Sequence, residues 1–288
     1  NRKMEGKQNT QLYTKGTQDK VNSSDYPPLK SFNLEDYFKS LKQALDFEGY
    51  VIFDTGIYLD LGSRQIEELL SNRKQFLYEN IEEMQKRNNE YTKRIVEIIR
   101  IKKNLLTLDQ VLAELSKNSR HTRDLALHTS QFFPENREVQ SRFTSMILDY
   151  LDNQREIINL LSSRNKKVGE VVKDNGKYRE FRSHLNEMLF DQNGILHPSS
   201  EDRIVMSFFM NLALAKPSRL FSTDGDMKGL YEIIRNSLKI LNQKLAEGRL
   251  KLDYNNFYMA KDLFYGKIKR HMIFSGYISD FPSSTIRA

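Results

Sequence analysis

Apolar positions along the chain fall into helical runs interrupted by short extended ones. Leu34, Tyr37, Phe38, Leu41 and Leu45 recur at helical spacing behind Asn33, a residue suited to an N-cap, which predicts a first helix over 34–47. Gly49 breaks it. Tyr50-Val51-Ile52-Phe53 is then a continuous apolar run, short enough for a buried strand, and Asp54 closes it. From Gln65 to about Lys103, apolar residues between Ile66 and Ile99 keep a helical period among many charges, predicting a long amphipathic helix or helical hairpin packed on its own domain. Asn104 to Thr107 reads as a brief extended segment. Leu108 to Leu115 starts another helix with Val111, Leu112 and Leu115 on its apolar side and Glu114 within it. Residues 132–190 return to a mostly helical pattern, with breaks at Asn165 to Lys167 and at Asn175-Gly176.

The second half repeats the strand-then-acid pattern. His197-Pro198-Ser199-Ser200-Glu201-Asp202 has the turn residues, cap and early acids of a helix start, and the helix is expected to run to about Ala215. Pro217 stops it, and Arg219-Leu220-Phe221-Ser222 reads as a second buried strand leading into Thr223-Asp224-Gly225-Asp226. A helix follows from about Met227. Two apolar strands that each end in Asp, separated by helices, predict an α/β fold with a central parallel sheet. Its acids collect at the carboxyl ends of the strands, where such sheets bind their ligands.

Composition narrows the chemistry. The chain has 288 residues and no cysteine, which removes disulfides, zinc ribbons and thiol nucleophiles, so any metal site must use oxygen or imidazole. The net charge is +7, and six of those seven excess charges sit in residues 1–33 and 246–288. The first 33 residues are polar and basic, carry Arg2, Lys3, Lys7, Lys15 and Lys20, and are expected to be a disordered tail. The expected organisation is a domain over 34–245 with helical insertions at about 62–103 and 116–198, followed by a basic, aromatic extension over 246–288. No apolar run approaches the roughly 18 residues a membrane helix needs, and the opening stretch lacks a signal pattern, so no membrane partner and a cytoplasmic location are expected.

Val51-Ile52-Phe53-Asp54-Thr55 resembles the opening strand and first acid of the PIN-domain family. Thr107 to Leu115 is similar to its second motif, a Thr starting a helix whose Glu faces the site. Glu201-Asp202-Arg203-Ile204-Val205 resembles the third motif, and Leu220 to Met227, reading Leu-Phe-Ser-Thr-Asp-Gly-Asp-Met, resembles the fourth. The matched segments cover about a tenth of the chain. The resemblance implies a three-layer α/β core and a divalent-metal-dependent ribonuclease. It makes Asp54, Glu114, Asp202, Asp224 and Asp226 catalytic acids, with Asp54, Glu114, Asp224 and Asp226 holding Mg²⁺ or Mn²⁺ and Thr55, Ser222 and Thr223 in support. The chemistry is consistent with hard cations, which prefer carboxylate oxygen. Gly56 departs from the family, which usually has Asn or Ser there, and the intervals between the acids are longer than in a minimal PIN domain.

Each acid also has a purely structural reading. Asp202 suits a helix N-terminus, Glu114 a solvated helix face, and Asp224 with Asp226 a turn. Lys261, Lys267, Lys269, Arg270 and His271, interleaved with Phe264, Tyr265 and Phe274, suit a nucleic-acid backbone or equally a solvated face over a packed core. His121 and His128 share a helix face without a third ligand, and His184, His197 and His271 are scattered. The resemblance makes RNA the expected partner, with a protein partner or self-association through the helical insertions alongside it. The alternatives are a PIN-like binding or scaffold protein without catalysis and a mainly helical interaction protein.

Overall fold

In the computed structural model, residues 34–59, 66, 78–128, 137–172, 176–190, 198–245, 247–261 and 268–279 are described, and the tail expected over 1–33 lies outside them. Their centre is a six-stranded sheet. Strands β1 (Tyr50–Phe53), β2 (Leu105–Thr107), β3 (Lys166–Lys167), β4 (Ser218–Ser222), β5 (Arg249–Lys261) and β6 (Ile268–Ser279) lie in the order β3-β2-β1-β4-β6-β5. The β3-β2-β1-β4 pairs are parallel, with Ile52 opposite Leu106 on one side and Leu220 on the other. β6 pairs antiparallel with both β4 and β5.

The sheet is thus α/β as expected but mixed rather than wholly parallel. The segment read as a basic extension supplies two of its strands. Arg249 to Tyr254 alternates polar with apolar residues, the period of a half-covered strand, and Leu250 is buried while Arg249 and Lys251 are exposed. Gly276 allows β6 to lie close to the helix Ser200–Ala215, since a Cβ there would stand 2.9 Å from the Ala213 side chain.

Buried runs explain the central strands. Val51, Ile52 and Phe53 are consecutive and buried, as are Leu220, Phe221 and Ser222, so both faces of β1 and β4 are covered. Helices α1 (Leu34–Ala44), α2 (Thr55–Tyr58), α3 (Tyr78–Ile101), α4 (Asp109–Leu127), α5 (Arg137–Arg164), α6 (Val168–Val171), α7 (Arg179–Phe190), α8 (Ser200–Ala215), α9 (Gly225–Asn236) and α10 (Leu238–Gln243) complete the described secondary structure. Ser199 caps α8 in a reciprocal box with Asp202, the start that Pro198 and Ser199 predict.

The long helices carry two cores. Tyr91, Ile95 and Ile99 of α3 join the core around the sheet, whereas Ile81 and Met84 of the same helix pack with Phe143, Met146 and Ile147 of α5 and Leu125 of α4. Between them runs a buried polar belt. Gln154 donates to the Tyr150 hydroxyl at 2.6 Å and accepts from Ser119 Oγ at 2.6 Å and Asn118 Nδ2 at 3.0 Å. A satisfied network of this kind sets how α4 and α5 slide against each other, because any shift would strand a buried polar atom. Among the described residues no helix is long and apolar enough to cross a membrane.

Candidate active site

The chain winds outward from β1 to β2 and β3, then returns to the other side of β1 at β4. Sheets of this kind open a crevice at the carboxyl ends of the two strands where the direction reverses. Asp54 follows β1 and Asp224 follows β4, so both acids stand at that point. The Asp54 amide donates to the Phe221 carbonyl at 2.9 Å, which extends the β1-β4 ladder up to the acid itself.

Asp54 is buried, at 5% exposure, and both of its carboxylate oxygens are engaged. Ser222 Oγ donates to Oδ2 at 2.6 Å and the Thr55 amide donates to Oδ1 at 2.8 Å, which also makes Asp54 the cap of α2. Burial pushes its proton affinity up, to a pKa of about 7. The two hydrogen bonds oppose that rise, and the charges of Asp202 and Glu114 add to it. The Thr55 hydroxyl donates to Glu114 Oε2, so one residue bridges the first two acids. Burial is also the largest cause raising Glu114 and Asp202; Asp202 adds to the former, Asp224 and Asp226 to the latter. These mutual repulsions tie all five acids into one negative region.

Ser222 is fully buried and does two tasks, because its Oγ also accepts the Asp224 amide at 3.0 Å. Asp224 caps α9 by accepting the Asp226 amide at 2.9 Å, and Asp226 is exposed. Thr223 stands over α2: a Cβ on Gly56 would come within 2.2 Å of Thr223 Oγ1. That close approach accounts for glycine at this position. Two features escaped the sequence pattern. Tyr58 is buried beside Asp54, whose charge raises its pKa further after burial, and its hydroxyl has no hydrogen-bond partner among the described residues. A groove of about 1310 Å³ runs from Thr55 and Glu114 along α4 past Lys117, Arg120 and His121. The helical repeat after Glu114 carries that signal.

Carboxylate oxygens are the donors a hard divalent cation prefers, and the neighbouring acids add to the raised proton affinity of Asp54, Glu114 and Asp202 as causes secondary to burial. Among the described residues, however, no three acidic or imidazole side chains converge tightly enough to hold an ion as they stand. Asp202 and Asp224 are turned to their helix caps, as their local reading predicts. Of the expected nucleic-acid residues, Lys261 ends β5, Lys269 and Arg270 lie near the start of β6, and Lys267 lies outside the described residues. His271 is buried, with its Nδ1 3.2 Å from the Tyr37 hydroxyl, which fits a packed core histidine. No family model matches this chain, no curated protein matches it, and no solved structure matches it.

Proposed function

We propose that the chain is a PIN-like nuclease that uses a divalent cation to hydrolyse phosphodiester bonds of RNA. The observation that carries this reading is the position of Asp54 and Asp224 at the reversal point of the sheet, joined through Ser222, with Glu114 linked to them by Thr55. Asp54, Glu114 and Asp224 would hold Mg²⁺ or Mn²⁺, directly or through water, and Asp202 with Asp226 would complete the negative pocket. Such an ion lowers the pKa of an attacking water and polarises a phosphoryl oxygen. Ser222 and Thr55 fix the Asp54 carboxylate so that it does not swing on binding. Because Asp54 titrates near neutrality, taking up a cation displaces a proton from it, and metal affinity rises with pH through about 7. RNA as substrate and the three-layer arrangement rest on the resemblance of the four motifs.

A second reading is a protein of the same fold that binds a partner without catalysis, and the engagement of Asp202 and Asp224 in their own caps favours it. Calorimetric titration of Mg²⁺ and Mn²⁺ into wild type and Asp224→Asn, with cleavage of a labelled single-stranded RNA on the same samples, separates the two. Metal binding lost in the variant together with metal-dependent cleavage by wild type is the expected result. Absence of both in wild type refutes the nuclease.

A further inference from the structure

Helix α4 begins at the acidic centre and leads away from it. Lys117, Arg120 and Arg123 follow Glu114 at three-residue steps, and at about 1.5 Å per residue they stand roughly 4.5, 9 and 13.5 Å along the helix axis from it. Lys117 and Arg120 line the groove that reaches Thr55 and Glu114. Arg120 also lines a second cavity of about 240 Å³, between α4 and α5, shared with Arg123, Arg155, Ser116 and Ser119. Arg120 lines both cavities, and Lys117, Arg120 and Arg123 form a ridge that winds about 60° round the helix at each step, so that it passes from the groove at the acids to the cleft between α4 and α5, where Arg123 stands.

Arg94, Arg100 and Arg142 pair with Glu35, Glu156 and Glu82, whereas Lys117, Arg120 and Arg123 are exposed and form no ion pair among the described residues. Lacking an ion pair is not peculiar to these three, since Lys86, Lys93, Arg137 and Arg164 on α3 and α5 are also exposed without one among the described residues; what sets the three apart is that they line the two cavities beside the acids. Among the described residues Arg155 pairs only with Asp152, at 3.2 Å on the same helix and largely in water. Asp109, an acid within the groove, is matched by Lys167 at 2.8 Å. Asp124 and Glu201 remain as acids along it.

We propose that this groove is the track of a single-stranded nucleic acid, with Lys117, Arg120 and Arg123 gripping its phosphates and guiding one of them toward Asp54. The occupant is one strand because Asp54 is recessed to 5% exposure while its neighbours Thr55 and Glu114 line the groove, a setting that suits a single narrow chain rather than a duplex. Contacts of this type attract phosphate without reading bases, so binding is strong at low salt and indifferent to sequence. The track rests on the nuclease reading for its purpose.

The test is fluorescence anisotropy of a labelled twelve-nucleotide oligouridylate in EDTA, across a salt series, so that binding is read without cleavage. Each phosphate contact on a single strand contributes about 0.7 to the slope of log affinity against log salt, or about 0.7 log unit at 0.1 M. The Lys117→Ala/Arg120→Ala/Arg123→Ala variant is expected to bind about 100-fold more weakly at 0.1 M salt, with a slope smaller by about 2. A control with the same charge change, Lys244→Ala/Arg249→Ala/Lys251→Ala, should stay within about twofold of wild type if the row acts locally. Circular dichroism melts check that both are folded.

Wild-type affinity and slope in the α4 variant overturn the track, as does an equal loss in the control or the absence of any binding by wild type at low salt. Binding of the strand by wild type and by Asp54→Asn, with loss in the α4 variant and no cleavage by wild type in Mg²⁺, leaves the track standing and removes the nuclease reading.

Discussion

Asp54→Asn should stabilise the protein at alkaline pH, although it removes the acid on which the proposed activity depends. In the unfolded chain Asp54 titrates near 3.9, and in the folded protein burial raises it to about 7. Between those values the folded state holds a proton that the unfolded state has released. The contribution of Asp54 to stability is therefore greatest below pH 4, falls as pH rises, and levels off above 7. Three units at about 1.4 kcal/mol each amount to about 4 kcal/mol lost at pH 8 relative to pH 4 from this residue alone.

Asparagine carries no charge, so it escapes that loss. Its oxygen can accept from the Thr55 amide, while its NH₂ replaces an acceptor opposite Ser222, costing about 1 kcal/mol. The net expectation is a gain of about 3 kcal/mol over wild type at pH 8 and none, or a slight loss, at pH 4. Urea unfolding in EDTA at half-unit pH steps measures the difference, and at roughly 2 °C per kcal/mol a thermal melt at pH 8 should rise by about 6 °C. Parallel wild-type and variant profiles between pH 4 and 8 would refute the account of a buried acid paying an ionisation cost. A carboxylate kept in an unfavourable site is the trade expected where function, not stability, selects the residue.

Addition of Mg²⁺ should raise the melting temperature of wild type more at pH 8 than at pH 5.5, approaching about 2.7 kcal/mol of stabilisation at a concentration 100 times the dissociation constant. A pH-independent shift, or the same shift in Asp54→Asn, would count against the acids as its site. Gly56→Ala should destabilise by about 1–3 kcal/mol, because its Cβ meets Thr223 Oγ1 at 2.2 Å, and Thr223→Ala in the same chain should recover most of that loss. A double-mutant cycle by urea unfolding checks the coupling, and simple additivity would show the contact to be unimportant. Tyr58→Phe removes a buried hydroxyl that has no hydrogen-bond partner among the described residues and should stabilise by about 1 kcal/mol, read as a higher urea midpoint with an unchanged slope; a lower midpoint would contradict it.

Local pattern was enough wherever an element is specified by its own residues. The apolar runs at Val51 to Phe53 and at Leu220 to Phe221, the cap at Ser199, and the helical spacing after Leu108 each carry their periodicity or capping chemistry within a few positions. Asp54 and Asp224 were visible for the same reason, as polar residues that follow apolar strands. Partner choice was not visible. Arg249 to Tyr254 shows the alternation of a strand, but its incorporation into the sheet depends on β6 pairing with β4, which sets Ser218 opposite Gly276. The two exposed lysines of β3 carry no local signal, and only the edge of β2 makes them a strand. At the candidate site, the sequence determined which carboxylates are available. Tertiary structure decided their character: Ser222, distant in the chain, reaches Asp54, Thr55 bridges to Glu114, and the covering of both sheet faces excludes water from the acid. Desolvation and Coulomb interaction depend on distance in space, and sequence spacing alone does not contain that distance.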